Sequence, residues 1–175
     1  MKQGDMSPRH EQLLVSFASL PEKMLALYDL ENLVEFVLHE LCTTRCFNLS
    51  KAAYFIDNVD FDCFKGLAGF DKSNEFIKSE ESWDTPQEFT QHMQGCKFNQ
   101  KVRSISNVSP KKSSCSQQQF INELASELEI VRPATCAWDL KHDNYGILIY
   151  ETAGHQAVDK HLFKALSLLG FCPVF

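Results

Sequence analysis

Thiols and imidazoles are the groups of this 175-residue chain best suited to chemistry: seven cysteines, at 42, 46, 63, 96, 115, 136 and 172, and six histidines. His39, Cys42 and Cys46 fall at i, i+3 and i+7, a row that would bring three metal-ligating side chains to one helix face. A structural zinc site wants four such ligands in paired short spacings, and no CxxC pair occurs, so the row reads as a part-buried helix face and no metal is expected. An odd number of irregularly spaced thiols fits free cysteines in a reducing compartment better than a disulfide framework. His92 and Cys96 lie four apart, but Gly95 is expected to end their helix between them. His92, His142 and His155 read as exposed or capping residues rather than acids or bases. Asp57, Asp60 and Asp62 crowd together, yet the glycine and distal glutamate of a calcium loop are missing, and turn chemistry accounts for them. There is no Gly-x-Ser-x-Gly, no phosphate-cradling glycine loop and no His-Glu-x-x-His, so no catalytic residue is assigned.

Charge and hydropathy narrow the partners. With 23 acidic against 17 basic residues the net charge is −6, and the only basic cluster is Lys111 and Lys112, which argues against nucleic acid. No apolar run approaches the roughly 20 residues that span a bilayer. The first ten residues hold no apolar core of a secretion signal, so a cytoplasmic location is expected. The Asn-x-Ser triplets at Asn48 and Asn107 carry no weight in that compartment.

Elements that would position these groups follow from periodicity. Residues 11 to 28 read as a helix, with Leu13, Leu14, Phe17, Leu20, Met24, Leu25 and Tyr28 at three- and four-residue steps and Pro21 as a break or kink. A second helix over 30 to 42 takes Asp29 as N-cap and carries Leu30, Leu33, Val34, Val37, Leu38 and Leu41 as its stripe, with Phe36 off it. That much apolar surface needs two neighbours, the sheet on one side and a partner chain on the other. Residues 52 to 57 and 63 to 70 form a hairpin, where Gly66 and Gly69 point to a bulge or a close backbone approach. Thr85, Pro86 and Glu88 start a short helix over 86 to 94 through a capping box. Residues 101 to 106 read as a brief strand, 107 to 119 as a loop, and Phe120, Ile121, Leu124 and Leu128 as a helix. Two strands, 134 to 140 and 145 to 151, join through a tight turn, and a helix over about 157 to 169 closes the chain at Gly170.

This order predicts an α+β fold: a central antiparallel sheet with helices on both faces, the N- and C-terminal helices packed together. It resembles the GAF domain. The likeness rests on residues 134 to 151 with the helix after them as a closing hairpin and terminal helix, on 51 to 70 as the opening hairpin, and on 30 to 42 as the first helix. It covers roughly residues 12 to 170, so the chain divides into a tail, 1–11, and one GAF-like domain, 12–172. PAS domains share the architecture but usually begin with strands, and rank second.

The resemblance implies a sensory or regulatory domain that encloses a small molecule between the sheet and the middle helices. It also implies a homodimer, through helices near 12 to 42 and 157 to 169. Tyr54, Phe70, Trp83, Cys96 and Trp138 become the candidate ligand contacts, with core packing the competing role for each and for Phe89. The motif of cyclic-nucleotide-binding members is absent, the cysteine arrangement of tetrapyrrole-binding members is not matched, and no cofactor is assigned. Two alternatives stand beside this reading. One is a thiol-dependent reductase of the free methionine sulfoxide type, using Cys96 and Cys115 with Cys63 or Cys136. The other is a ligand-free interaction module whose pocket is filled by some of its own 14 phenylalanines.

Overall fold

A computed structural model describes residues 8–74, 82–110, 117–154 and 164–172. The chain folds as α+β around one five-stranded antiparallel sheet, as the order of elements predicts. Helices α1 (Pro8–Ala26) and α2 (Leu33–Cys42) lead into the hairpin β1 (Leu49–Asn58) and β2 (Cys63–Asp71). Then come α3 (Pro86–Gly95), α4 (Lys97–Ser104), the short β3 (Ser106–Asn107), α5 (Gln117–Glu127), and the second hairpin, β4 (Ala134–Asp139) with β5 (Asn144–Thr152). The strand order β3-β2-β1-β5-β4 places the longest strand in the centre.

Side chains on β1 alternate between two cores, as the two-residue period of a strand requires. Ala52 and Tyr54 enter a cluster built with α1, α2, α3 and the closing 3₁₀ segment Lys164–Phe171. Ala53 and Phe55 enter the opposite cluster, with Phe98 and Val102 of α4 and Ile121, Leu124 and Ala125 of α5. Leu166, Leu169 and Cys172 share the first cluster with Leu13 and Leu20 of α1. Among the described residues no helix is long and apolar enough to cross a membrane.

Several local expectations change. α1 begins at Pro8, and only Leu13, Ser16, Leu20 and Met24 of it are buried, so Leu14 and Leu25 leave the core stripe. α2 starts at Leu33 with Asn32, not Asp29, at its N-cap, and no side-chain cap hydrogen bond is made. Phe36 is fully buried rather than off the stripe, because α2 is covered by the sheet on one side and by Trp83 and Phe89 on the other. Thr85 and Pro86 do open α3, but Thr85 makes no side-chain cap bond, so the capping box is not formed. The strand expected over 101 to 106 is instead the end of α4, with a two-residue β3 after it. Phe98, Val102 and Ile105 sit at i, i+4 and i+7, a helical period that buries all three, and this outweighs the strand preference of the β-branched Val102 and Ile105. The described part of the closing helix is 3₁₀, while 155–163 lie outside the described residues, as do 111–116 of the expected loop.

Gly66 and Gly69 meet both expectations placed on them. The β1–β2 register shifts where Tyr54 faces Ala68 and Phe55 faces Gly66, a bulge at Leu67. A Cβ on Gly66 would lie 1.9 Å from the Val102 carbonyl oxygen, and one on Gly69 would lie 2.6 Å from Val102 Cγ2. Two residues without side chains therefore let α4 lie directly on β2.

Candidate functional site

All five candidate ligand contacts stand on the face of the sheet that carries α1, α2 and α3. Tyr54 and Phe70 are buried, and Trp83, Cys96 and Trp138 are half-buried against the same cluster. The space between them is filled by α2. Phe36 meets the Trp83 ring at 5.2 Å and Phe89 at 4.4 Å, and the His39 ring stands 5.1 Å from both Phe70 and Phe89. Phe70 and Trp83 are thus linked through side chains of α2. Trp138 and Tyr54 form a separate pair, stacked at 5.5 Å with their planes 8° apart. The indole lies flat on Gly146, where a Cβ would come within 2.6 Å of Trp138 Cε2. Tyr54 Oη and Trp138 Nε1 are buried with no hydrogen-bond partner among the described residues.

His39, Cys42 and Cys46 do not make a row, since α2 ends at Cys42 and Cys46 lies in the turn beyond it. All three are buried. Burial lowers the His39 pKa to about 4, with smaller opposing effects from Glu40, which raises it, and from His92 and Lys23, which lower it. The ring lies 3.1 Å, through Nδ1, from Ser82 Oγ. Burial raises the thiol pKa of Cys42, Cys96 and Cys136, and pushes Cys46 and Cys172 up to about 12. Cys115 and His155 lie outside the described residues.

α3 does end at Gly95, yet Cys96 Sγ still lies 3.4 Å from His92 Nε2, which also stands 3.0 Å from the Asn74 carbonyl oxygen. The three hairpin aspartates separate: Asp60 and Asp62 are exposed, and Asp57 is a strand residue only 1% exposed, so turn chemistry does not account for it. Among the described residues no three His, Cys, Asp or Glu side chains gather as metal ligands would.

An open cleft among the described residues lies elsewhere. Between the α1–α2 turn, α3 and α4 is a cleft of about 640 Å³ lined by Asp29, Glu31, Asn32, Glu35, Thr90 and Arg103, among others. Glu35, only 3% exposed, sits at its base. A carboxylate this deep needs its charge and lone pairs satisfied. Arg103 Nη1 donates to its Oε1 at 3.0 Å, Asn99 Nδ2 to the same oxygen at 2.7 Å, and Asn32 Nδ2 to Oε2 at 3.0 Å. Asn99 in turn accepts from the Gly69 amide at 2.9 Å and donates to the Met93 carbonyl at 3.1 Å, so one buried amide ties α4 to β2, α2 and α3. Asn32 and Thr90 exchange hydrogen bonds across the rim at 3.1 and 3.3 Å.

No family model, no curated protein and no solved structure matches the chain.

Sequence reasoning misses every polar residue of this cleft. Its walls come from two stretches far apart in the chain, 29–35 and 90–104, and neither carries a local motif. One signal is present: Glu35 stands between Val34 and Phe36 in a helix whose stripe is too wide for a solvated face, which calls for a buried carboxylate with donors nearby.

Proposed function

We propose that this chain is a cytoplasmic regulatory domain of the GAF-like kind, which senses a small polar molecule in the Glu35 cleft and acts as a homodimer. The observation that carries the reading is an ion pair prepared beneath open space. A 3% exposed carboxylate holds a guanidinium that is itself half exposed to the cleft. Such oriented charge, in a cavity within the roughly 300 to 1,000 Å³ typical of ligand pockets, suits recognition of a polar ligand. The aromatic face that the resemblance favours is filled by Phe36 and His39, which moves the ligand to this cleft. Burial raises the thiol pKa of Cys96 and Cys136, two of the cysteines that the reductase reading calls on, which disfavours it, since exchange needs a thiolate. Thermal shift against a panel of metabolites tests the proposal: a ligand raises the melting temperature by several degrees through mass action, and Thr90→Val with Arg103→Gln abolishes the rise. A panel without a hit, or a hit indifferent to both substitutions, overturns it.

The dimer rests on α1. Leu14, Ala18, Pro21 and Leu25 of α1 recur at alternating steps of four and three, with Tyr28 one step further, in the turn beyond the helix, and all five are exposed, Leu25 at 73% and Tyr28 at 63%. That spacing is the seam of two packed helices. A 19-residue helix is about 28 Å long, and one such face falls short of the roughly 800 Å² per partner of a standard interface. A weak dimer follows, with a dissociation constant on the order of 10 µM. Sedimentation at about 100 µM protein reads a dimer that Leu25→Glu makes monomeric. A monomeric wild type at that concentration removes the dimer.

A further inference from the structure

We infer that the molecule bound in the Glu35 cleft is a small zwitterion, such as a free amino acid or a dipeptide, its carboxylate on Arg103 and its ammonium group against Asp29 and Glu31. The inference rests on the reading of this cleft as the binding site and adds the chemistry of its ligand.

Groups of opposite sign line the cleft. On one side α4 presents Arg103, half exposed, with one of its five N–H groups bonded to Glu35 at 3.0 Å. That bond fixes the guanidinium, whose planar fork pairs with a carboxylate through two parallel hydrogen bonds. On the other side the α1–α2 turn presents Asp29 and Glu31, both exposed and both lining the cleft. Glu35 and Arg103 neutralise each other, so the remaining charge of the lining is that of the two carboxylates. A simple anion would meet that negative charge, and a simple cation would leave the remaining N–H groups of Arg103 without a ligand. A molecule carrying both charges satisfies both sets of groups. Thr90, Asn32, Gln94 and Gln100 supply neutral polar lining between them, and about 640 Å³ leaves room for a side chain or a second residue.

Isothermal titration calorimetry on the full chain tests this with the free L-amino acids, glycylglycine, and the methyl ester and N-acetyl derivatives of the best binder. At least one zwitterion binds, and each derivative, lacking one charge, binds about tenfold or more weakly. Arg103→Gln weakens binding by a similar factor, as does the pair Asp29→Asn with Glu31→Gln. The latter residues are exposed, so the fold does not depend on them. Equal binding of the ester or the N-acetyl form overturns the zwitterion. So does the absence of any amino-acid or dipeptide binding while a singly charged metabolite still raises the melting temperature, and in that case the cleft itself survives as a site. Silence from every compound in both experiments ends both claims.

Discussion

His39 shows what a single buried side chain imposes on the whole. Its imidazole is 2% exposed, between the rings of Phe70 and Phe89, and burial holds its pKa at about 4. In the unfolded chain the same group takes a proton at about 6.5. Between those values the unfolded state binds more protons than the folded one, so stability falls as the pH drops from about 6.5 toward 4 and is unaffected above that window. The full loss is about 3 kcal/mol, from roughly 1.4 kcal/mol per unit of difference. Urea unfolding at a series of pH values checks it against His39→Gln, which does not titrate. The wild-type curve drops more steeply through the window, and parallel curves would refute the assignment. In the sequence this histidine stands out only for its spacing to Cys42 and Cys46. Its real setting, against Phe70 and Phe89 from β2 and α3, is formed by residues 31 and 50 positions away and leaves no local trace.

Among the elements, α4 is the one where sequence pattern and tertiary contact disagree, and tertiary contact decides. The β-branched Val102 and Ile105 at its end suit a strand, but the helix is held by Asn99 and by the bare backbone of Gly66 and Gly69. A methyl group at Gly66 would occupy the position of the Val102 carbonyl, which is backbone and cannot rotate away. Gly66→Ala therefore destabilises by about 2–3 kcal/mol or more, as overpacking does. At Gly95, the end of α3, no atom lies within 4 Å of the place a methyl would take, and Gly95→Ala leaves stability unchanged or raises it by up to about 1 kcal/mol. Chemical denaturation of the two variants checks the contrast, and equal effects would mean that α4 does not lie on β2. The hairpins, by contrast, are readable to within a residue or three, because short apolar runs bounded by turn residues are local properties. The cleft is not, since it exists only where the α1–α2 turn, α3 and α4 meet.

At the scale of the molecule, the central sheet makes two hydrophobic clusters depend on each other. β1 sends Tyr54 into one and Phe55 into the other, so neither side can loosen while the strand stays in place. Both tryptophans, Trp83 and Trp138, pack on the α1–α2–α3 side. Leu128→Ala, a change at a 1% exposed position on the opposite side, costs about 2–5 kcal/mol. It shifts the unfolding midpoint read by tryptophan fluorescence as far as the one read by far-ultraviolet circular dichroism. Separate midpoints would divide the domain into two folding units. The seat of Trp138 on Gly146 has a further effect on assembly. β4 is an edge strand that pairs only with β5, and a slide by one residue would turn each of its side chains to the wrong side. A slide by two keeps the sides but sets the indole over Asn144 or Leu148, whose side chains occupy the space that Gly146 leaves vacant. One flat ring and one missing side chain thus act as a keyed joint, which admits the last strand in a single alignment.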